Sequence, residues 1–273
     1  MQIKPFVKWV GGKRQLLPQI MNRVPEKYNT YFEPFLGGGA VFFNVQPKKA
    51  VINDYNKNLI NCYQVIKDNP KTLIDAVNEL DTITSNRDYY NNIRSRYNDS
   101  MDVLDISNAA MFIWLNKHSF NGVYRVNSKG KYNVPYNSKD TNNSSVSEEN
   151  IYNISQYLND NDITIMYGDY NNALRETKAG DFVYIDPPYV PVSMTANFTT
   201  YTKGGFSFEK HKEVADTCST LSNSGIKVLA SNNNVELIHE LYSGFNIEAV
   251  SARRSINRDG DSRVGKEVLI RNY

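Results

Sequence analysis

The apolar run Phe182–Ile185 meets Asp186, Pro187, Pro188 and Tyr189, and this junction restricts the chain more than any other stretch. Two prolines in a row fix φ and remove two backbone donors, so the segment neither continues as a central strand nor enters a helix. A strand must stop there, with a carboxylate, backbone carbonyls and an aromatic ring gathered at its tip.

Short apolar segments alternate with amphipathic ones toward both ends of the chain, the pattern of a parallel sheet covered by helices. Strands are expected at 31–35, 50–53, 164–167, 182–185 and 227–231. Before the last of these, Val214, Cys218 and Leu221 recur at i, i+4 and i+7, with Ser207 as N-cap and Gly225 as the stop. Residues 247–250 and 268–271 flank a polar loop, 255–265, and are expected to pair as an antiparallel hairpin at the sheet edge. Between about 56 and 162 the apolar strands vanish, and helical segments such as 107–117 predict an inserted, mainly helical subdomain. Within it 137–150 is too polar to pack and is expected to be a mobile loop. The expected division is therefore 1–55 with 163–273, and 56–162 between them.

A chain of 273 residues accommodates one large α/β domain with such an insert. The formal charge of +2 means that a polyanion would have to be met by a local patch. Cys62 and Cys218 are far apart, with no C-x-x-C and no neighbouring histidine, which argues against a disulfide framework or a zinc site. No apolar run approaches the roughly 18 to 20 residues of a membrane span. The start M-Q-I-K-P-F lacks the apolar core of a signal peptide. The chain thus reads as soluble and cytoplasmic, without membrane association.

Three groups of residues carry chemistry. In Y-F-E-P-F-L-G-G-G-A-V-F-F, residues 31–43, a strand enters a glycine cluster and then a helix start, which permits close backbone approach by a nucleotide-like ligand. Where a dinucleotide fingerprint would place its third glycine stands Phe42, so a ligand without pyrophosphate fits better; a plain turn fits the glycines too. Asp54 ends the next strand, where an acid accepts from ribose hydroxyls or serves a turn. F-V-K-W-V-G-G-K, residues 6–13, adds an indole suited to packing a cofactor and, in Lys13, an ammonium suited to a carboxylate; a core tryptophan and a solvated lysine are the alternatives. Jointly these point to an adenosine ligand bearing an amino acid. In D-P-P-Y, the Asp186 carboxylate and the Pro187 carbonyl are two acceptors suited to the N–H groups of an exocyclic nucleobase amine; a plain strand-end turn is the alternative. Held so, the amine localises its lone pair toward an electrophilic methyl. Pro188 stiffens the clamp and Tyr189 offers a ring on which an unstacked base rests.

These motifs resemble the Dam-type DNA adenine-N6 methyltransferases over nearly the whole length. They are K-W-V-G-G-K from Lys8, E-P-F-L-G-G-G from Glu33, N-D-Y-N from Asn53, L-N-K-H-S-F-N-G-V-Y-R-V-N from Leu115, N-V-P-Y from Asn133, D-P-P-Y from Asp186 and T-A-N-F-T-T-Y from Thr195. Their order is that of the alpha group. The resemblance implies a Rossmann-like, mostly parallel sheet with a C-terminal antiparallel edge, and a target-recognition role for the insert. It implies S-adenosylmethionine as methyl donor, no metal, and double-stranded DNA containing GATC as substrate, methylated at a flipped adenine. Cofactor contacts carry over to Trp9, Lys13, Phe35, Gly37, Gly39, Asp54, Asp169 and Asp186, and catalysis to Asp186, Pro187, Pro188 and Tyr189. DNA contacts carry over to Lys8, Lys117, Phe120, Asn121, Arg125, Asn127, Pro135 and Tyr136, with Phe120 entering the duplex and Arg125 reading guanine. Phe120 stands where enteric members carry tyrosine, and Lys139 and its neighbours do not match their downstream basic run.

A further basic group, Arg253, Arg254, Arg258, Arg263 and Lys266, suits phosphates or plain solvation equally, since Asp259, Asp261 and Glu267 lie among them. Cytosine-N4 methylation uses the same amine logic, although serine is more usual there at position 186. Glutamine methylation of a protein favours asparagine at that position. A silent DNA-binding module of the same fold is the non-enzymatic alternative. A solitary role at the nucleoid, pairing with a restriction nuclease and a phage origin all stay open.

Overall fold

The computed structural model describes residues 2–138, 144–191, 206–253 and 264–273, with the side chains of 252–253 and 264–266 outside that description. Seven strands, β1 (Tyr31–Glu33), β2 (Lys49–Asp54), β3 (Asp162–Tyr167), β4 (Phe182–Ile185), β5 (Lys227–Asn233), β6 (Asn246–Arg253) and β7 (Val264–Arg271), form one sheet in the order β3-β2-β1-β4-β5-β7-β6. The helices are α1 (Leu17–Met21), α2 (Phe42–Val45), α3 (Lys57–Asp68), α4 (Pro70–Asp81), α5 (Arg87–Asp99), α6 (Ile106–His118), α7 (Glu148–Asp160), α8 (Tyr170–Leu174), α9 (Phe208–Asn223) and α10 (Glu236–Leu241). Among the described residues no helix is long and apolar enough to cross a membrane. The chain divides into two compact units, one of Met1–Gly12, Leu36–Lys48 and Asn53–Asp169, the other of Lys13–Phe35, Lys49–Ile52 and Tyr170–Tyr273.

In the second unit β1 pairs in parallel with β2 and β4, and β4 with β5. Strand β7 runs antiparallel to β5, and β6 antiparallel to β7, so the expected hairpin closes one edge of the sheet. All four residues of β4 are buried, as an unalternating apolar strand between two covered faces must be. One layer of the core joins Phe32, Val183 and Ile185 to Val214, Cys218 and Leu221 of α9 and to Val268 and Ile270 of β7. Each such side chain contributes about 1.5–3 kcal/mol by leaving water. Ser207 caps α9 by accepting from the Lys210 N–H, and Gly225 follows the helix at φ 74°.

Several strand boundaries depart from expectation. Strand β1 stops at Glu33 because Pro34 brings no N–H. Strand β5 continues through Asn232 and Asn233, which pair with Val268 and Glu267. Val264 and Gly265, assigned to the polar loop, belong to β7 and pair with Arg253 and Ala252.

In the first unit α6 packs against α3, α4 and α5. Its segment Ala109–Leu115 is buried on every side, as befits a helix apolar all round. Asn56, Asn86 and Asp105 cap α3, α5 and α6 with their side-chain oxygens. The Trp114 indole donates to Asp81 at 2.9 Å, and Asp81 also takes the Ser145 N–H at 2.8 Å and hydroxyl at 2.7 Å. His118 Nε2 lies 2.9 Å from the same hydroxyl. The 137–150 stretch, expected to be too polar to pack, is thus anchored at the buried Ser145 and enters α7 with Ser147 as its cap. Ser145 has its polar groups met by a carboxylate and an imidazole, while Ser144, Ser147, Glu148 and Glu149 face solvent; residues 139–143 lie outside the described set.

His211 on α9 is buried, its ring edge-on to Phe206, and its Nε2 has no hydrogen-bond partner among the described residues. Desolvation pushes its pKa down to about 4. An unfolded imidazole titrates near ~6.5, so stability is whole above that pH and is lost as the pH falls toward the folded value. Replacing the ring by His211→Phe is expected to remove up to about 3 kcal/mol of that acid-side loss. Urea midpoints between pH 7 and 4 check this, and equal slopes for both proteins would refute it.

Candidate active site

At the tip of β4 the Asp186 carboxylate is held on both oxygens. Oδ2 lies 2.7 Å from the Lys13 ammonium, and Oδ1 accepts the Ser231 hydroxyl at 2.8 Å. Ser231 Oγ is 3.1 Å from the Tyr184 hydroxyl, so the strand beside β4 and β4 itself both anchor the acid. Burial raises the Asp186 pKa above the usual carboxylate range; the Lys13 charge and the bonds from Lys13 and Ser231 pull it back down without cancelling the rise. The Lys13 ammonium, 6 % exposed, also sits 4.6 Å above the Tyr189 ring.

Pro187 is buried and Pro188 exposed, and the chain after them is fastened at Val190. The Val190 N–H donates to Asn232 Oδ1 at 3.1 Å, and its carbonyl accepts from Asn233 Nδ2. The Tyr189 hydroxyl donates to Glu267 of β7 at 2.8 Å. Phe35, just past β1, stacks on Tyr170 at 5.0 Å and meets Phe206 edge-on. In the order of strands the chain moves outward from β1 to β2 and β3 and then returns to β4 on the other side of β1. The carboxyl ends of β1 and β4 therefore flank the topological switch point, where open α/β sheets take ligands.

The glycine turn and the ribose-type acid lie in the first unit. Gly37 and Gly39 have φ of 51° and 71°. A Cβ on Gly37 would stand 2.6 Å from Trp9 Cδ1, and one on Gly39 2.6 Å from the Tyr63 hydroxyl, so both positions require glycine for conformation and for space. The Gly37 N–H donates to Asp54 Oδ2 at 2.8 Å, the Asn56 N–H to Asp54 Oδ1 at 2.9 Å, and the Tyr63 hydroxyl to the Gly37 carbonyl at 3.0 Å. Burial raises the Asp54 pKa, opposed by these backbone donors. Both oxygens keep further lone pairs for a ligand. The Asp54 carbonyl accepts from Gly168 N–H and Asn53 Nδ2 donates to the Gly168 carbonyl, which places Asp169 next in the chain beside this turn. Trp9 stacks on Tyr124 and Phe112 at 5.5 and 6.3 Å.

The residues matched to DNA contact also lie in this unit. Lys117 is half-buried in the last turn of α6, and Phe120 is 55 % exposed on a single tight turn, Phe120–Gly122, with Asn121 at φ 59°. The bridges Ser119↔Tyr136 and Val126↔Tyr132 make 119–136 a strand-like arm within the helical insert. The Phe120 N–H donates to the Pro135 carbonyl, and Asn127 holds the arm's tip by accepting from Lys129 and Lys131. Arg125 is exposed, with two guanidinium N–H groups on Asn133. Of the arm's aromatic residues, Tyr124 and Tyr132 pack inward and Tyr136 donates to the Ser85 carbonyl at 3.0 Å, whereas Phe120 is displayed. Lys8 is exposed and packs its stem over Gly122.

Ser231, Asn232, Asn233, Glu267 and Tyr63 complete these groups without having been singled out from sequence. The one visible signal was the polar run S-N-N-N at the end of an otherwise apolar strand. T-A-N-F-T-T-Y, Arg254, Arg258 and Arg263 lie outside the described residues, as do the side chains of Arg253 and Lys266.

An acid fixed beyond a parallel strand in one unit, and a glycine turn too tight for any Cβ in the other, are features of an α/β enzyme that works at the carboxyl edge of its sheet. Residues 9–256 match the D12 class N6 adenine-specific DNA methyltransferase family. The Type II methyltransferase M1.LlaDCHI of Lactococcus lactis subsp. cremoris is 46 % identical over 99 % of this chain and 96 % of its own length. The Type II methyltransferase M.MjaIII of Methanocaldococcus jannaschii is 39 % identical over the full length of both, and the DNA adenine methylase of Escherichia coli K12 is 31 % identical over 99 % and 95 %. The chain belongs to the D12 class of N6 adenine-specific DNA methyltransferases.

Removing the ammonium from beside Asp186 leaves burial of that carboxyl less opposed. For Lys13→Met the acid limb of methyl transfer is therefore expected to move to higher pH, while Lys13→Arg keeps it near the parent's position. Plots of kcat/KM against pH test this; an unmoved limb in Lys13→Met would show that Lys13 does not govern the charge of Asp186.

Proposed function

We propose that the protein transfers a methyl group from S-adenosylmethionine to N6 of an adenine swung out of duplex DNA at 5'-GATC-3'. The observation that carries this reading is the Asp186 carboxylate, held by Lys13 and Ser231 at the end of β4 and followed by two prolines and a ring. S-adenosylmethionine supplies an electrophilic methyl on a sulfonium. The glycines at 37 and 39, tight against Trp9 and Tyr63, and the spare lone pairs of Asp54 suit its nucleoside, and Phe35, Asp169 and Lys13 belong to the same assignment.

Asp186 and the Pro187 carbonyl accept the two N–H bonds of the adenine amine, which turns its lone pair away from the ring and toward the methyl. Lys13 keeps Asp186 ionised for that task; the donor's C–S bond would break as the C–N bond forms, leaving a neutral thioether, and the methylated amine would give one N–H proton to water. Tyr189, tied to Glu267, supports the base.

For target reading, 1–55 with 163–273 form the catalytic part and 56–162 the recognition part. Phe120 fills the space of the departed base, and Arg125, with three of its five N–H groups left by Asn133, presents a fork to guanine. Lys8, Lys117, Asn121, Asn127, Pro135 and Tyr136 complete that surface, Tyr136 from behind. The names of two relatives, both type II methyltransferases, support a place beside a restriction nuclease of matching site.

Labelled cofactor incubated with GATC-containing duplex, followed by nucleoside analysis, is expected to yield N6-methyladenine. N4-methylcytosine or no product would overturn the reading. Asp186→Ala is expected to lower turnover by ~10³-fold or more while duplex affinity stays within ~3-fold, because the carboxylate acts on the amine and not on the phosphates. Single-turnover assays and gel-shift titrations measure the two effects.

A further inference from the structure

Asn116 lies on α6, 4 % exposed, one turn before the arm that carries Phe120. Its amide is engaged in three directions. Oδ1 accepts the Lys8 N–H at 2.9 Å, and Nδ2 donates to the Lys8 carbonyl and to the Gly122 carbonyl, each at 2.9 Å. The first two bonds reproduce, with a side chain, the two-way pairing that one strand residue makes with another. The third fixes the turn on which Phe120 and Asn121 sit.

The same junction is close-packed from its other side. A Cβ on Gly122 would fall 2.4 Å from Lys8 Cδ and 2.8 Å from Lys8 Cβ, so the lysine stem lies directly on the glycine backbone. Trp9, the next residue, stacks on Tyr124 of the arm. A second asparagine, Asn150, holds Lys4 by the same reciprocal pair of bonds at 2.9 Å. The N-terminal segment thus has backbone groups met by side-chain amides of the insert, and of these two amides Asn116 also holds the Phe120 turn.

We infer that Asn116 is a positioning residue for target discrimination: it sets Lys8, from the N-terminal segment, in fixed register with the Phe120–Gly122 turn, so that two distant stretches of chain meet DNA as one surface. This rests on the proposed DNA reading. Two contacts that must both fit a base pair lose discrimination when either drifts by about an ångström, because a wrong sequence is then accommodated at little extra cost. A buried amide with both donors and its acceptor satisfied resists that drift, since moving either partner leaves a buried polar group unpaired.

The test measures methyl transfer to a GATC duplex and to duplexes with each base pair of the site replaced singly. In Asn116→Ser the KM for DNA is expected to rise ~10-fold or more and the preference for GATC to fall ~10-fold or more. Meanwhile kcat at saturating DNA stays within ~3-fold and S-adenosylmethionine affinity within ~2-fold. Gly122→Ala, which displaces the Lys8 stem while leaving Asn116 intact, is expected to show the same split, and it carries the test if the first variant does not fold. Unchanged discrimination in a folded variant would overturn the inference, as would a parallel loss of kcat, KM and cofactor affinity. Parent protein that methylates adenine without preference among these duplexes would also overturn it. Parent protein that methylates no adenine would overturn the proposed function itself, and the inference with it.

Discussion

Asp186 follows four residues sealed from solvent, and a carboxylate there costs several kcal/mol unless charge and hydrogen bonds meet it. Lys13 and Ser231 do so, and the order of strands is what makes Ser231 available: β5 lies beside β4, so the residue one step past their last paired position faces the acid. Strand β5 is held in turn by β7, whose Glu267 takes the Tyr189 hydroxyl. The antiparallel edge does more than close the sheet: through β5 and Glu267 it supports both ends of the D-P-P-Y segment.

Where the backbone leaves regular structure, side chains take over the ladder. Asp54 accepts the N–H groups of Gly37 and Asn56; Asn53 holds Gly168; Asn232 and Asn233 hold Val190; Asn116 and Asn150 hold Lys8 and Lys4. All but the exposed Asn150–Lys4 pair meet a buried or half-buried polar group, and each fixes a segment that bears a candidate functional residue. Asparagine serves this purpose because one planar amide offers donor and acceptor at the spacing of a peptide bond.

Much of this was legible beforehand, for physical reasons that differ by element. Apolar runs such as 182–185 could be assigned because only a doubly covered strand buries consecutive side chains without helical spacing. Asn232 and Asn233 were not recognised as strand because a polar residue whose hydrogen bonds are met inside the protein looks, in sequence, like one that needs water. The same ambiguity hid Ser145. Lys13 and Asp186 were each marked as functional, but their 2.7 Å contact joins residues 173 positions apart, and nothing local announces it. Composition does not tell the aromatics of the arm apart, and in the sequence only the family resemblance singles out Phe120; packing separates it, displayed, from the half-buried Tyr124 and the buried Tyr132.

The three-way bonding of Asn116 bears on how such a protein can be recombined. A hairpin arm is an attractive unit for grafting between relatives, since its ends at Ser119 and Tyr136 are bridged and its tip is self-supporting. Here the arm's base is shared with Lys8 and Trp9, more than a hundred positions upstream, through one amide, one glycine and one stacked ring pair. A chimaera that exchanged the arm alone would import a turn whose partner stayed behind. The transferable module is discontinuous, and its two pieces have to travel together.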